Sequence, residues 1–232
     1  MKEIKIKVCG ITTVEDARLV AEVGADYIGV IVGIESSLRY LSIEQARPIC
    51  EQSTLPVVTL FFNKGAEQIE RAIKSLRPQA IQLLGQETPS LVKKLKEMVT
   101  CEVWKSIHLP PLGEAEIDIS EYLDRVNSLV DAGTDAILID TVVGSSEGKR
   151  RYGGTGQVSN WDVARRLVEA IAVPTFLAGG IKPENVEEAI GLVRPYGIDL
   201  CSGVESAPGK KDPEKLRKLM AAVRRAVSKS NQ

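Results

Sequence analysis

One repeating pattern restricts this chain more than any other feature. A short, apolar, β-branched run is followed by a polar-flanked stretch with helical signals, and the pair recurs about eight times. The predicted strands cover 4–9, 27–32, 57–62, 80–84, 103–107, 136–140, 175–178 and 198–202. Several are nearly continuous apolar runs, as expected for parallel strands buried on both faces. Between them, Thr12 with Glu15 and Ser42 with Gln45 have capping-box spacing. Thr88-Pro89 and Lys182-Pro183 put proline where a first helical turn tolerates it. A last amphipathic helix is predicted over Pro213–Lys229, with its Lys and Arg residues forming a solvated face.

Alternating β and α units in 232 residues fit a single closed (β/α)8 TIM barrel spanning residues 1–232. An open doubly wound sheet usually carries G-x-G-x-x-G after its first strand. Here that place reads Cys9-Gly10-Ile11-Thr12. No Pro- or Ser-rich linker divides the chain. The one long irregular stretch, 142–156, follows the sixth strand, which places it on the carboxyl face as a candidate lid.

Bulk properties then exclude several classes. A formal net charge of −1 gives no global field for nucleic acid or an anionic membrane. No apolar run approaches the roughly 18 residues of a membrane span. The N-terminal segment alternates Lys with Ile and does not resemble a signal peptide. The four cysteines, Cys9, Cys50, Cys101 and Cys201, lack C-x-x-C spacing, so reduced thiols in a cytoplasmic protein are expected. Cys50, Cys101 and Cys201 read as core cysteines. The lone histidine, His108, excludes a histidine-rich metal site and argues against Ser-His-Asp chemistry.

In a barrel, chemistry sits where the strands end. Ala178-Gly179-Gly180 and Ser202-Gly203 occupy the seventh and eighth strand ends, where free backbone N–H groups cradle phosphate. Gly153-Gly154-Thr155-Gly156 is placed to add more. Each glycine pair alone also reads as a plain turn; their joint placement favours phosphate. Cys9 and Asp140 end the first and sixth strands, as a thiolate base and a carboxylic acid would. Taken singly, Cys9 reads as an inert buried thiol and Asp140 equally as a cap or loop carboxylate. Arg39 is either a solvated charge or a planar fork for a substrate carboxylate.

The motifs together resemble one family. Lys7-Val8-Cys9-Gly10-Ile11-Thr12, Gly24-Ala25-Asp26-Tyr27-Ile28-Gly29, Ser37-Leu38-Arg39-Tyr40, Ile81-Gln82-Leu83 and Ile137-Leu138-Ile139-Asp140 are similar, in order, to segments of phosphoribosylanthranilate isomerases. So are Gly153-Gly154-Thr155-Gly156, Leu177-Ala178-Gly179-Gly180, Pro183-Glu184-Asn185-Val186 and Ser202-Gly203-Val204-Glu205 with Pro208-Gly209-Lys210-Lys211-Asp212. The resemblance implies an Amadori rearrangement of an aminoribose phosphate to a ketose. It implies Asp140 as general acid to the ring oxygen and Cys9 as general base at C2. It implies Arg39 on the anthranilate carboxylate, with Gln82 and Asp199 lining the site. Gly154, Gly180, Ser202 and Gly203 fall on the phosphate turns. It implies no metal or organic cofactor, a small phosphorylated substrate, no nucleic-acid or membrane partner, and a monomer or homodimer.

The chain also departs from the family. Leu84 stands where a histidine is common, and Ser159-Asn160-Trp161 where Phe-Asp-Trp is usual. Ile31, Gly33 and Ser36 replace aromatic and proline residues, and the segment 108–129 is longer than typical. These changes alter the walls around the aglycone more than the chemistry. A paralogous isomerase of another phosphorylated aminosugar, and a non-catalytic phosphosugar-binding barrel, are the competing readings; retention of both Cys9 and Asp140 speaks against the second.

Overall fold

The computed structural model describes residues 4–110, 117–144, 150–152 and 160–229. Strands β1 (Lys5–Val8), β2 (Tyr27–Gly33), β3 (Val57–Phe61), β4 (Ala80–Leu83), β5 (Glu102–Leu109) and β6 (Ala136–Gly144) lie side by side in chain order. A short β7 (Arg150–Tyr152) runs back along the end of β6, and β8 (Thr175–Leu177) and β9 (Gly197–Leu200) complete the ring. Every barrel pairing is parallel, and the β1–β9 and β5–β6 pairings close the sheet on itself. The expected (β/α)8 barrel is what forms.

Strand alternation builds two separate cores. Outward residues such as Ile6, Val8, Ile137 and Ile139 pack under the helices. Inward residues Val58, Ala80, Trp104, Ala136, Leu138 and Phe176 fill the amino end of the barrel. There the Trp104 and Phe176 rings stack at 5.0 Å, and Tyr27 meets Trp104 edge-on at 5.2 Å. This aromatic plug closes the barrel floor and leaves the carboxyl end open for the site.

The helices α1 (Val14–Glu22), α2 (Ile43–Gln52), α3 (Ala66–Leu76), α4 (Pro89–Met98), α5 (Ile119–Asp131), α6 (Trp161–Ala170), α7 (Val186–Val193) and α8 (Pro213–Lys229) form the outer layer. In α8, Leu216, Leu219, Met220, Val223 and Ala226 repeat at helical spacing and are all buried. Ser42 and Gln45 make the expected capping box, and Thr88 caps α4 with Pro89 as its first residue. Caps of this kind are each worth about 1 kcal/mol.

Three local expectations are corrected. Thr13, not Thr12, caps α1 by accepting from the Asp16 N–H; the Thr12 hydroxyl instead donates to the Gly209 carbonyl. Pro183 lies in a turn and α7 starts at Val186, because Asn185 is engaged in the preceding turn. The sixth strand does not stop at Asp140. Its β-branched Val142 and Val143 pair antiparallel with Tyr152 and Arg151, so part of the stretch expected to be irregular is a hairpin extension. The rest of that candidate lid, 145–149 and 153–156, lies outside the described residues, as does Gly154.

Candidate active site

A cavity of about 460 Å³ opens at the carboxyl end of the barrel. Cys9, Arg39, Gln82, Asp140, Gly180, Asp199, Ser202 and Gly203 all line it. Eight residues singled out from separate stretches of sequence are therefore brought together.

The barrel interior beneath them is polar, which is unusual for a closed core. Lys7 sits two residues before Cys9 and shares its inward face. Its ammonium is fully buried and lies 2.9 Å from each Asp199 carboxylate oxygen. Burial, the largest single influence, pulls the Lys7 pKa down, but the charges of Asp199 and Cys9 and the Asp199 hydrogen bond together outweigh it and the net direction is up. Burial raises the Asp199 pKa, with Lys7 opposing. The two-fold contact favours a charged pair. Across the barrel, Gln82 donates through Nε2 to the Ser106 hydroxyl at 3.0 Å.

Asp140 is partly buried, and its Oδ1 accepts the Thr141 N–H at 2.7 Å. Burial, helped by the Asp199 charge, pushes its pKa up to about 7. A carboxyl in this state is partly protonated near neutral pH and can give that proton up. Cys9 moves the other way. A hydrogen bond from Cys201 lowers its pKa against the effect of burial, and the Lys7 and Lys211 charges act in the same sense. One cavity thus holds an acid shifted toward the neutral form beside a thiol shifted toward the thiolate.

Arg39 is held differently from the expectation of a free fork. Its Nε lies 2.8 and 3.1 Å from the two Glu205 carboxylate oxygens, and its Nη2 also donates to Glu205. This fixes one edge of the guanidinium and leaves its outer end as the edge a substrate carboxylate can meet. Glu205 also accepts from the Lys211 ammonium at 2.8 Å, and that ammonium donates to the Cys9 carbonyl at 2.6 Å. Glu205 and Lys211 pair within the hairpin β10 (Glu205–Ala207) and β11 (Lys210–Lys211). That hairpin therefore buttresses both Arg39 and Cys9.

The glycine turns after β8 and β9 are both tight and lie against each other. Gly179 and Gly180 both have positive φ, and the Asn185 side-chain amide donates to the Gly180 carbonyl while its Oδ1 accepts the Lys182 N–H. Ser202–Val204 forms a single 3-10 turn. Gly203 passes so close to the Ile181 carbonyl that an added Cβ would lie 2.1 Å from its oxygen. Only glycine lets the two turns approach this closely.

The wall opposite is apolar: Leu84 packs with Cys9, Ile31 and Leu60, and Phe62 lies against them. Leu84 is thus a wall residue, as the sequence departure implied. Asn160 is not among the cavity-lining residues. It caps α6, accepting from the Asp162 and Val163 N–H groups, a task Asn and Asp perform alike. Ser159 lies outside the described residues.

With this geometry in view, comparison with known proteins is direct. The sequence model of the family described as N-(5'phosphoribosyl)anthranilate (PRA) isomerase matches residues 6–222. The chain belongs to the N-(5'-phosphoribosyl)anthranilate isomerase family. A relative of that name from Methanocella arvoryzae is 37% identical over 226 residues, covering 95% of this chain and 98% of the relative. The isomerase structure from Thermus thermophilus superimposes with a TM-score of 0.78 at 34% identity, covering 96% of this chain and 99% of that one. A phosphoribosyl anthranilate isomerase solved in complex with reduced 1-(o-carboxyphenylamino)-1-deoxyribulose 5-phosphate gives a TM-score of 0.77 at 29% identity, with 96% and 99% coverage. The family consists of isomerases of tryptophan biosynthesis.

Reading the sequence of this family member missed several residues of the site. Lys7 was legible in principle: a lysine inside an apolar strand is rarely buried without a partner. Cys201, expected in the core, lines the cavity beside Cys9 instead. Glu205, Lys211 and Asn185 stand in the quoted motifs, but nothing local shows what they hold.

Proposed function

We propose that this protein isomerises N-(5'-phosphoribosyl)anthranilate to 1-(2-carboxyphenylamino)-1-deoxyribulose 5-phosphate by general acid–base catalysis, using Asp140 as acid and Cys9 as base. The observation that carries this reading is the pair itself: a partly buried carboxyl pushed up to about 7 and a buried thiol pushed down, facing one cavity. Asp140 gives its proton to the ribose ring oxygen as the bond from that oxygen to C1 breaks. The aniline nitrogen supplies the electron pair, leaving an iminium. The Cys9 thiolate then takes the C2 proton, the C2–H electrons neutralise the iminium, and the resulting enolamine tautomerises to the aminoketose. Acid and base act in sequence on adjacent atoms, so a rigid barrel mouth that fixes both is the main requirement.

The remaining residues bind. The outer guanidinium edge of Arg39 pairs the anthranilate carboxylate, and the Ile31, Leu60 and Leu84 wall takes the aromatic ring. The turns at Gly180, Ser202 and Gly203, with Gly154, hold the phosphate. Asp199 and Gln82 line the ribose end, and Asp199 keeps Lys7 charged. All four cysteines are free, which fits a reducing cytoplasm. The whole chain is read as one barrel unit. No helix among the described residues is long and apolar enough to cross a membrane. The test is growth: expression in a bacterial strain lacking this isomerase must restore growth on medium without tryptophan. No growth with soluble, folded protein present would reject the substrate assignment.

A further inference from the structure

The place of Cys9 depends on a residue that carries no side chain. Gly29 lies in the middle of β2 and is buried. The register pairs Lys7 with Tyr27 and Val8 with Ile28, so the next positions, Cys9 and Gly29, come side by side. The Ile11 N–H donates to the Gly29 carbonyl at 2.9 Å and continues that alignment. Side chains alternate along a strand, so position 29 shares the inward face of Tyr27 and Ile31. Tyr27 packs against the aromatic plug below, and Ile31 belongs to the apolar wall above. Between them β2 offers no side chain, and the side chain of Cys9 occupies that space. A Cβ on Gly29 would lie 2.9 Å from Cys9 Sγ, 3.0 Å from its Cα and 3.2 Å from its Cβ.

Backbone conformation does not call for glycine here. Gly29 is not one of the glycines with positive φ, and it sits within regular strand. Glycine inside a strand weakens it and marks a point where a neighbour approaches closely. The neighbour that approaches is Cys9. On its other sides Cys9 packs with Ile31, Leu60 and Leu84, and Cys201 lies against that group. A sulfur displaced by a methyl at 29 has to move away from β2 and change its aim into the cavity. Gly29 is not among the residues lining the cavity, so a methyl there reaches the chemistry through Cys9.

We propose that Gly29 is a positioning residue for the isomerisation: the side-chain space it leaves vacant seats Cys9 and sets where the sulfur points toward the substrate C2 proton. This rests on the reading of Cys9 as the base. A reacting group misplaced by about 1 Å can lose on the order of 100-fold in rate. The groups read as binding the substrate, Arg39 and the turns at Gly180, Ser202 and Gly203, stand on other elements and are not in contact with position 29. A change at 29 therefore acts on the chemical step and leaves binding in place.

The test compares Gly29→Ala with the unaltered protein, with Cys9→Ala and with the double variant. Steady-state kinetics on phosphoribosylanthranilate are run with hydrogen and with deuterium at ribose C2, and urea unfolding is followed by circular dichroism. In Gly29→Ala, kcat falls about 10- to 100-fold while KM stays within about twofold. Deuterium at C2 slows that variant clearly, because removal of the C2 proton now limits turnover. The urea midpoint drops less when Gly29→Ala is added to Cys9→Ala than when it is added to the unaltered protein, since the sulfur is the nearest clash. Folding of Gly29→Ala in the Cys9→Ala background alone supports the same conclusion. Failure to fold in both backgrounds places the clash on the strand backbone and overturns the proposal. An unchanged kcat in the folded variant, a lowered kcat with no deuterium effect, or a KM that rises as far as kcat falls overturns it as well. Normal turnover by Cys9→Ala removes the base reading instead, and the proposal falls with it.

Discussion

Replacing Asp140 with asparagine should remove most activity and, at the same time, stabilise the protein above neutral pH. The partly buried carboxyl is raised from its ordinary 3.8 to about 7. Below about pH 4 it is protonated in both the folded and unfolded chain and contributes nothing to the pH dependence. Between about pH 4 and about pH 7 the unfolded chain ionises while the folded one stays protonated, so wild-type stability falls as pH rises. Above about 7 both forms are ionised and the full penalty is present. At about 1.36 kcal/mol per pH unit, the span from 3.8 to about 7 corresponds to roughly 4 kcal/mol. Asparagine has no such titration, and its side-chain oxygen can still accept the Thr141 N–H. The Lys7–Asp199 pair is present in both proteins and largely cancels in the difference. Urea unfolding followed by circular dichroism at a series of pH values measures the effect. The variant's stability advantage should grow through that window and level off above it. A difference that stays constant with pH would refute the view that burial sets the protonation of Asp140.

Three further outcomes follow from the site. Arg39→Lys loses the planar outer edge, so KM for the natural substrate should rise about tenfold or more, while an analogue lacking the anthranilate carboxylate is insensitive; equal effects on the two substrates, by steady-state kinetics, would remove that role. Gly203→Ala forces a Cβ to within 2.1 Å of the Ile181 carbonyl oxygen, so the two turns must separate. Inorganic phosphate should then inhibit at least tenfold more weakly than it inhibits the unaltered enzyme, and unchanged inhibition would place the phosphate elsewhere. Leu84→Ala removes part of the apolar wall, so KM should rise several-fold with kcat nearly unchanged; a fall in kcat alone would show that Leu84 instead packs the base.

Much of this is legible in the sequence. The eight apolar runs located every barrel strand, because a strand buried on both faces needs continuous apolar sequence. Cys9, Asp140 and the glycine turns were legible because strand ends in this fold share one face. The electrostatic frame was not. Lys7 and Asp199 are 192 positions apart, and Arg39 and Glu205 are 166 apart. Those pairs exist only because closing the barrel brings β9 and the hairpin after it beside β1 and the loop after β2. Cys201 was misread for the same reason: its sequence neighbours give no sign that Cys9 is beside it. The β7 extension escaped notice because β6 reads as finished at Asp140, and its partner is a short run of Arg-Arg-Tyr with no strand signature.

The most direct test of the central claim is the rate of phosphoribosylanthranilate isomerisation, followed by the change in anthranilate fluorescence. It is measured on the purified protein and on Cys9→Ala and Asp140→Asn, with folding checked by circular dichroism. The account requires clear turnover by the unaltered protein and a loss on the order of 10²–10⁴-fold in each variant. No turnover in the unaltered protein, or near-normal turnover in either folded variant, would contradict it.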